Sequence, residues 1–294
     1  MLCAALLLVF GCDSTSEEES PGISVGTTGV TTTGGDNDFV AGDGIRNTNG
    51  DGVFGGSMYD SIWLTLEIFN IPTWARGDAD EEGAHLLAYR CMSCHGWDYR
   101  GSEGTYGPNF LNVPWVANIN LIESRHKPAA ELKAAILSPP HPPEYAEIFQ
   151  EIDLEDFAAF IKNEMVDTSV IYSYYPEKGH FAINPGGNQE RGHEFIEANC
   201  VTCHGPETDQ IKTNQGRFSL GSASRIKFFE TIHKILFGSP QTSMRPIKAT
   251  PQELFDVMAA LCDFEKYPSI YFEDVDAETL AREDAAQVRT CINY

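Results

Sequence analysis

Apolar residues recur at helical spacing in several segments of this 294-residue chain, which predicts a helical protein. The segments are 57–74, 83–90, 153–161, 192–199 and 250–261. Helix-start signals precede two of them: Asp153 is a candidate N-cap, and Thr250 is followed by Pro251 at the first helical position and by Glu253. No βαβ pattern is visible, so we expect an all-α fold.

The helical segments form two similar sets, offset by 109 residues (200 − 91). Gly83 and Gly192 each lie eight residues before a cysteine, and acidic residues precede each glycine, as suits the positive end of a helix dipole. Each set continues through a loop and a helix into a proline-rich loop and a final helix. Tandem duplication of one small helical domain explains this order.

The chain begins with a short apolar stretch, Leu2 to Phe10, followed by Gly11 and Cys12. It is shorter than the ~20 residues of a transmembrane helix and suits the apolar part of an export signal. Its end resembles a bacterial lipobox, which would make Cys12 the lipidated first residue of the mature protein; a plain signal cleaved nearby is the alternative. The polar residues 13–38 predict a flexible tether.

The formal net charge is −23, from 20 basic and 43 acidic residues. This balance argues against binding to nucleic acid, because phosphate contacts need Lys and Arg. It favours partners with basic patches, and a salt-adapted surface with no specific partner is the alternative. The apolar fraction of 42% is enough for a real core.

The chemistry of the chain lies in two Cys-x-x-Cys-His-Gly motifs, at 91–96 and 200–205. Two thiols at this spacing reach the two vinyl groups of one haem, and the following His becomes an iron ligand. A zinc ribbon would separate its Cys pairs by about 15–20 residues, and a thioredoxin-like pair needs a βαβ context. Two covalently attached haem c groups are therefore expected. Their attachment residues are Cys91, Cys94, His95, Cys200, Cys203 and His204.

Each unit resembles a class I c-type cytochrome domain, and the chain from about Asp78 to Glu265 resembles the tandem di-haem cytochromes of the c4 type. The resemblance implies that the final helix of each unit packs across its first helix. It also implies that the carbonyl of Pro108, in the sequence GPNFL, orients His95. The second unit lacks this Gly-Pro and has FSLGSAS there.

The sixth iron ligands are expected in the loops before the final helices. Met244 follows His204 by 40 residues (244 − 204) and occupies the place of the family's axial Met. Met258 is the other nearby Met, and its position within an amphipathic helix is typical of core packing. The first unit has no Met in that loop, and His141, between two Pro-Pro pairs, is the candidate. His126, His85 and water remain alternatives there.

Two further cysteines, Cys262 and Cys291, are candidates for a disulfide in an exported protein. The whole pattern predicts seven segments. They are a signal and lipobox at 1–12, a tether at 13–56, a helical extension at 57–77, cytochrome c domains at 78–168 and 188–266, a linker at 169–187 between them, and an acidic tail at 267–294.

We expect a lipid-anchored electron carrier on the periplasmic side of a bacterial membrane, with no catalytic residues of its own. A Met ligand favours Fe(II) more than a second His does, so the first haem should have the lower potential. Its partners would be other redox proteins. The alternatives are a di-haem enzyme, similar to cytochrome c peroxidase or thiosulfate dehydrogenase, and a di-haem subunit of an oxidase complex.

Overall fold

A computed structural model describes residues 50–68, 89–109, 117–176, 179–213, 217–272 and 276–293. The lipobox Cys12, the tether up to residue 49 and His85 lie outside these residues. The first half is helical, as the periodicity predicts. Its helices are α1 Gly52–Asp60, α2 Ile62–Thr65, α3 Met92–His95, α4 Tyr106–Asn109, α5 Leu121–Ser124, α6 Ala129–Ile136, α7 Tyr145–Ile148 and α8 Glu151–Ala159.

The second half is also mainly helical, and a small hairpin precedes it. The elements are β1 Tyr172–Tyr175, β2 His180–Ile183, α9 Gln189–Asn199, α10 Val201–His204, α11 Leu220–Ile226, α12 Phe228–Phe237, α13 Pro251–Ala260 and α14 Ala277–Thr290. Among the described residues, none of the helices combines the length and apolarity of a membrane span.

The hairpin is the departure from the all-α expectation. Strands β1 and β2 pair antiparallel, with Tyr172 opposite Ile183 and Tyr175 opposite His180. Tyr172 and Ile183 are buried in the core of the second half, so the linker is anchored by its own side chains. Aromatic residues fit a pleated, half-buried surface better than a free linker.

The predicted N-cap is confirmed for α13, whereas the N-cap of α8 lies three residues before the predicted one. Thr250 caps α13, with Pro251 in the first turn and Glu253 completing a capping box. Asp153 does not cap α8; the helix begins at Glu151, and the Asp153 carboxylate accepts a 2.8 Å hydrogen bond from the backbone N–H of Gln150. Asp153 is therefore the third residue of the helix, where it satisfies the cap residue's amide.

The final helix of each half crosses a glycine-containing helix. In the second half, α9 crosses α13, and a Cβ on Gly192 would collide with the carbonyl of Asp256. In the first half, α1 crosses α8, and a Cβ on Gly55 would collide with the carbonyl of Asp156. Only glycine permits this closeness of two backbones.

Helix α1 thus crosses α8, and the segment 83–88, which was expected to do so, lies outside the described residues. Helix α1 also corrects the predicted tether boundary at 56, because the helix already begins at Gly52. The Asp51 carboxylate accepts from the amides of Val53 and Phe54 at 3.0 and 3.1 Å, which fixes the helix start. Asp51 in turn donates its own amide to Asp156 at 2.6 Å, which ties α1 to α8.

The two halves belong to one compact unit, Phe39–Tyr294. Helix α1 packs against α12 of the second half as well as against α8. The hydroxyl of Ser57 donates to the carbonyl of Phe237 at 2.9 Å. Asp60, which is buried, forms ion pairs with Lys234 and with Arg90, both at 2.7 Å.

The C-terminal segment is a packed helix rather than a loose acidic tail. The predicted disulfide between Cys262 and Cys291 joins α14 to the end of α13, with a Cα–Cα distance of 5.5 Å. Beside it the buried Arg225 donates to the carbonyls of Leu261 and Tyr267 and to Gln287 of α14. The charge of Arg225 is thus stabilised by hydrogen bonds that hold α14 in place.

Candidate functional site

Each Cys-x-x-Cys-His motif folds as one helical turn. In α3 the amide of His95 donates to the carbonyl of Cys91 at 2.9 Å, and in α10 the amide of His204 donates to that of Cys200 at 2.8 Å. Residues three and four apart in a helix lie on one face. Both thiols and the imidazole of each motif therefore lie close together, as attachment to a single flat cofactor requires.

The four motif cysteines are free thiols. Burial and the proximity of Cys94 raise the pKa of Cys91 to about 12, and burial raises the pKa of Cys200 to about 11. A thioredoxin-like pair works through a thiol of lowered pKa, so these environments disfavour that alternative. Within the described residues, no group of three or more His, Cys, Asp or Glu side chains is placed to hold a metal ion.

The first site brings His95 and His141 together. Their ring centres are 6.0 Å apart and their planes differ by 27°. Two metal–nitrogen bonds of about 2 Å each, added to the radii of two imidazole rings, give about the same separation. Exposed His126 lines no part of this cavity, and His85 lies outside the described residues.

The protonation of both rings suits metal ligation. Nδ1 of His141 is 2.9 Å from the carbonyl of Ala135, which can only accept, so this nitrogen carries the proton and Nε2 keeps a free lone pair. Burial, together with the proximity of His141, lowers the pKa of His95 to about 4, so the buried imidazole is neutral at neutral pH. A neutral imidazole is the form that binds iron.

A cavity of about 100 Å³ lies beside these two rings. Its walls are mainly apolar and aromatic, as an iron porphyrin requires. They include Cys91, Tyr59, Leu132, Ile136, Tyr145, Phe149, Phe157 and Phe160. The residues present therefore fit a haem attached to the first motif.

Polar contacts fix the loop after the first motif. Pro108 lies in α4, whose Tyr106 hydroxyl donates to the carbonyl of Met92 at 2.9 Å. The buried Asp98 accepts from the amide and hydroxyl of Thr105 at 2.7 and 2.8 Å. Nδ1 of His95 is buried and has no hydrogen-bond partner in the described part of the chain, and the orienting role of Pro108 stays a prediction.

The histidine of the second site is also buried. His204 is 8% exposed, and burial lowers its pKa, so the ring is neutral at neutral pH. Its Nδ1 is buried without a hydrogen-bond partner among the described residues, as in His95. Cys200 is buried, whereas Cys203 is exposed.

Met244 lies in the loop between α12 and α13 and is half-buried. Its amide donates to the Thr242 hydroxyl at 3.2 Å, and further along the loop Ile247 donates to the carbonyl of Ile235 at 2.8 Å. The loop is therefore tied to α12, but ligation by Met244 stays a prediction. Met258 is 1% exposed within the core of the second half, which agrees with core packing.

One buried cluster beside the first site was missed by the sequence analysis. His233 of α12 is fully buried and its ring contacts Tyr59, Trp97 and Tyr99. The hydroxyl of Tyr59 also donates to the carbonyl of Gly96, directly after the iron-ligand candidate His95, at 2.5 Å. A lone histidine on the apolar face of a helix has no spacing signal that would have identified it.

Comparison with known proteins gives one family match. Residues 81–164 match the family model of cytochrome c, which includes the first motif, His141 and α8. No curated protein and no solved structure matches the chain. The match supports a c-type cytochrome with covalently bound haem c and haem-based electron transfer; the second motif and α1 lie outside it.

Proposed function

We propose that this protein is a di-haem c-type cytochrome that carries electrons between redox proteins. The observation that carries the proposal is the pair of equivalent helical turns, α3 and α10, each presenting two free thiols and a buried neutral histidine. Haem supplies reversible one-electron chemistry of its iron when it is bound.

At the first site, Cys91 and Cys94 would hold the cofactor and His95 and His141 would be its axial ligands. The carbonyl of Ala135 fixes which nitrogen of His141 is free, so this ring is oriented before the cofactor binds. The apolar walls make a change of net charge costly there. With His95 and His141 both holding the iron, the site would suit electron transfer rather than substrate binding.

At the second site, Cys200 and Cys203 would attach the cofactor, and His204 and Met244 would be its axial ligands. Sulfur ligation by Met favours the reduced iron more than a second imidazole does. The first site would then have the lower potential, and electrons would pass from the first half to the second.

We further propose that the carrier works on the periplasmic side of a bacterial membrane, held there by lipid on Cys12. Support comes from the apolar stretch before Cys12 and the polar residues after it. The net charge of −23 favours redox partners that present basic patches.

The cofactor content is tested on the purified holoprotein. The alkaline pyridine spectrum should give two haem c per chain, and near-infrared magnetic circular dichroism should show a Met–Fe charge-transfer band for one of them. The M244A variant should lose this band. A single haem per chain, or a Met band that survives M244A, would contradict the assignment.

The ligation of the first site is tested with carbon monoxide. The reduced wild-type protein should not bind it, whereas H141A should bind it at one haem because an axial position becomes open. The matched control is H126A, which changes an exposed histidine on the same half. Carbon monoxide binding by the wild type would favour a di-haem enzyme with an open site instead.

A further inference from the structure

Three elements meet where the two halves join: α1, the turn after α3, and α12. Trp97 lies two residues after His95, and its ring centre is 5.0 Å from that of His233 on α12. Trp97 also packs against the hydrophobic core of the second half. The Nζ atom of Lys234, the next residue of α12, lies 5.7 Å from the ring centre of Trp97. The indole is therefore a direct contact between the proximal side of the first site and the second half.

His233 is held in one orientation by two hydrogen bonds. Its Nε2 is 3.0 Å from the carbonyl of Gly56, which can only accept, so Nε2 carries the proton. Nδ1 must then accept from the hydroxyl of Tyr99, which is 2.8 Å away. Both partners come from the first half, so the ring of His233 is fixed relative to that half and not only to its own helix.

Helix α12 connects this contact to the second site. It ends at Phe237 and continues into the loop that contains Met244, and Ile247 of that loop is bonded to Ile235 of the helix. Ile232 and Ile235 of α12 belong to the same core cluster as the motif residue Cys200. Helix α12 thus contacts Trp97 and belongs to the core cluster that also contains Cys200.

We propose that Trp97 bridges the two haem sites and that His233 is the positioning residue that holds its indole against α12. The proposal rests on the proposed di-haem function. With haem held by both motifs, the cofactors would supply one-electron chemistry: the first site would give up one electron, the second would accept it, and no proton or bond would change place. Close ring packing at this contact provides the electronic connection across the join.

The test compares two matched tryptophan variants of the holoprotein, W97L and W63L. Trp63 is half-buried and packs against a core cluster of the first half, and among the ring contacts of the described residues none joins it to α12. After laser-flash reduction with a soluble photoreductant, the rate of electron equilibration between the haems is followed in their absorption bands. W97L should lower this rate at least about tenfold, which corresponds to about 1.4 kcal/mol in activation free energy. W63L should leave it at the wild-type value.

A second pair tests the positioning role. In H233N the side-chain oxygen lies near the former Nδ1 position and can accept from Tyr99, so the rate should stay near that of the wild type. In H233L both bonds are lost, and the rate and the near-ultraviolet circular dichroism of the tryptophans should change together. The midpoint potentials of both haems should be unchanged in all four variants.

The outcomes distinguish a failure of the proposed bridge from a failure of the proposed function. Two haems per chain with equal rates in W97L and W63L would overturn the bridge and leave the di-haem function intact. One haem per chain would overturn the function itself. If W97L does not retain its haem spectrum, the H233N and H233L pair decides: equal rates in these two overturn the positioning role.

Discussion

The buried His233 predicts that acid destabilises the join between the two halves. Burial dominates its environment and lowers its pKa to about 3; nearby Lys234 and Arg90 lower it further, whereas Asp60 and the bond to Gly56 act in the opposite direction. The ordinary pKa of an unfolded histidine is about 6.5. Below pH 6.5, His233 is therefore protonated in the unfolded chain, whereas it stays neutral in the folded chain.

The sign and size of the effect follow from this difference. The free energy of unfolding should fall as the pH drops below about 6.5, and the loss should level off near pH 3. Between pH 6.5 and 3, each pH unit lowers the free energy of unfolding by about 1.4 kcal/mol. The total decrease is about 5 kcal/mol at most, and about 3 kcal/mol of it has occurred by pH 4.5. Other groups titrate in the same range, so the contribution of His233 has to be isolated by difference.

The assay is urea unfolding of wild type and H233N, followed by far-ultraviolet circular dichroism at constant ionic strength between pH 7 and 4.5. Because asparagine does not titrate, the stability of the wild type relative to H233N should decrease by about 3 kcal/mol over this range. The exposed His126 provides the matched control H126N. A stability difference between wild type and H233N that is constant with pH would refute the reasoning.

Three further variants test the packing described above by urea unfolding. G192A should cost about 1–3 kcal/mol or more, because its methyl group collides with the carbonyl of Asp256; an unchanged stability would contradict the close crossing. C262S should cost about 2–4 kcal/mol, since Cys291 is then no longer cross-linked, and a reducing agent should remove the difference from wild type. D60N should cost about 1.5–3 kcal/mol at pH 7, because Lys234 and Arg90 lose a buried, charged hydrogen-bond partner. The difference from wild type should shrink only as the pH falls below about 3.8, because burial raises the pKa of Asp60 but Lys234 lowers it on balance below that ordinary value.

Local sequence signals predicted the two Cys-x-x-Cys-His turns and helix α13. The Cys-x-x-Cys-His turns follow from the spacing of their own residues, and Thr250 with Glu253 caps a helix whatever lies around it. The proximity of His141 to His95 was also anticipated, from a histidine fixed by prolines in the right loop. The carbonyl of Ala135 that orients His141 could not be anticipated, because backbone acceptors carry no sequence signal.

The first residues of helix α1, 52–56, were assigned to the tether because their sequence is unlike that of a helix. Glycine is a poor helix former, costing about 1 kcal/mol per residue relative to alanine, and α1 contains Gly52, Gly55 and Gly56. The helix is stabilised by its partners: Gly55 allows contact with α8, and Gly56 accepts from His233. Tertiary packing outweighs the low helix propensity of this segment, and the local sequence carries no signal of that packing.

The bond between Gly56 and His233 joins residues that are 177 positions apart. A chain is made from its N-terminus at about 5–20 residues per second, so about 9–35 s separate the synthesis of these two partners. For that interval α1 and the first haem-attachment turn exist without the helix that later covers Trp97. Until the second half has been synthesised, the side of the first motif that α12 later covers is therefore without its packing partner.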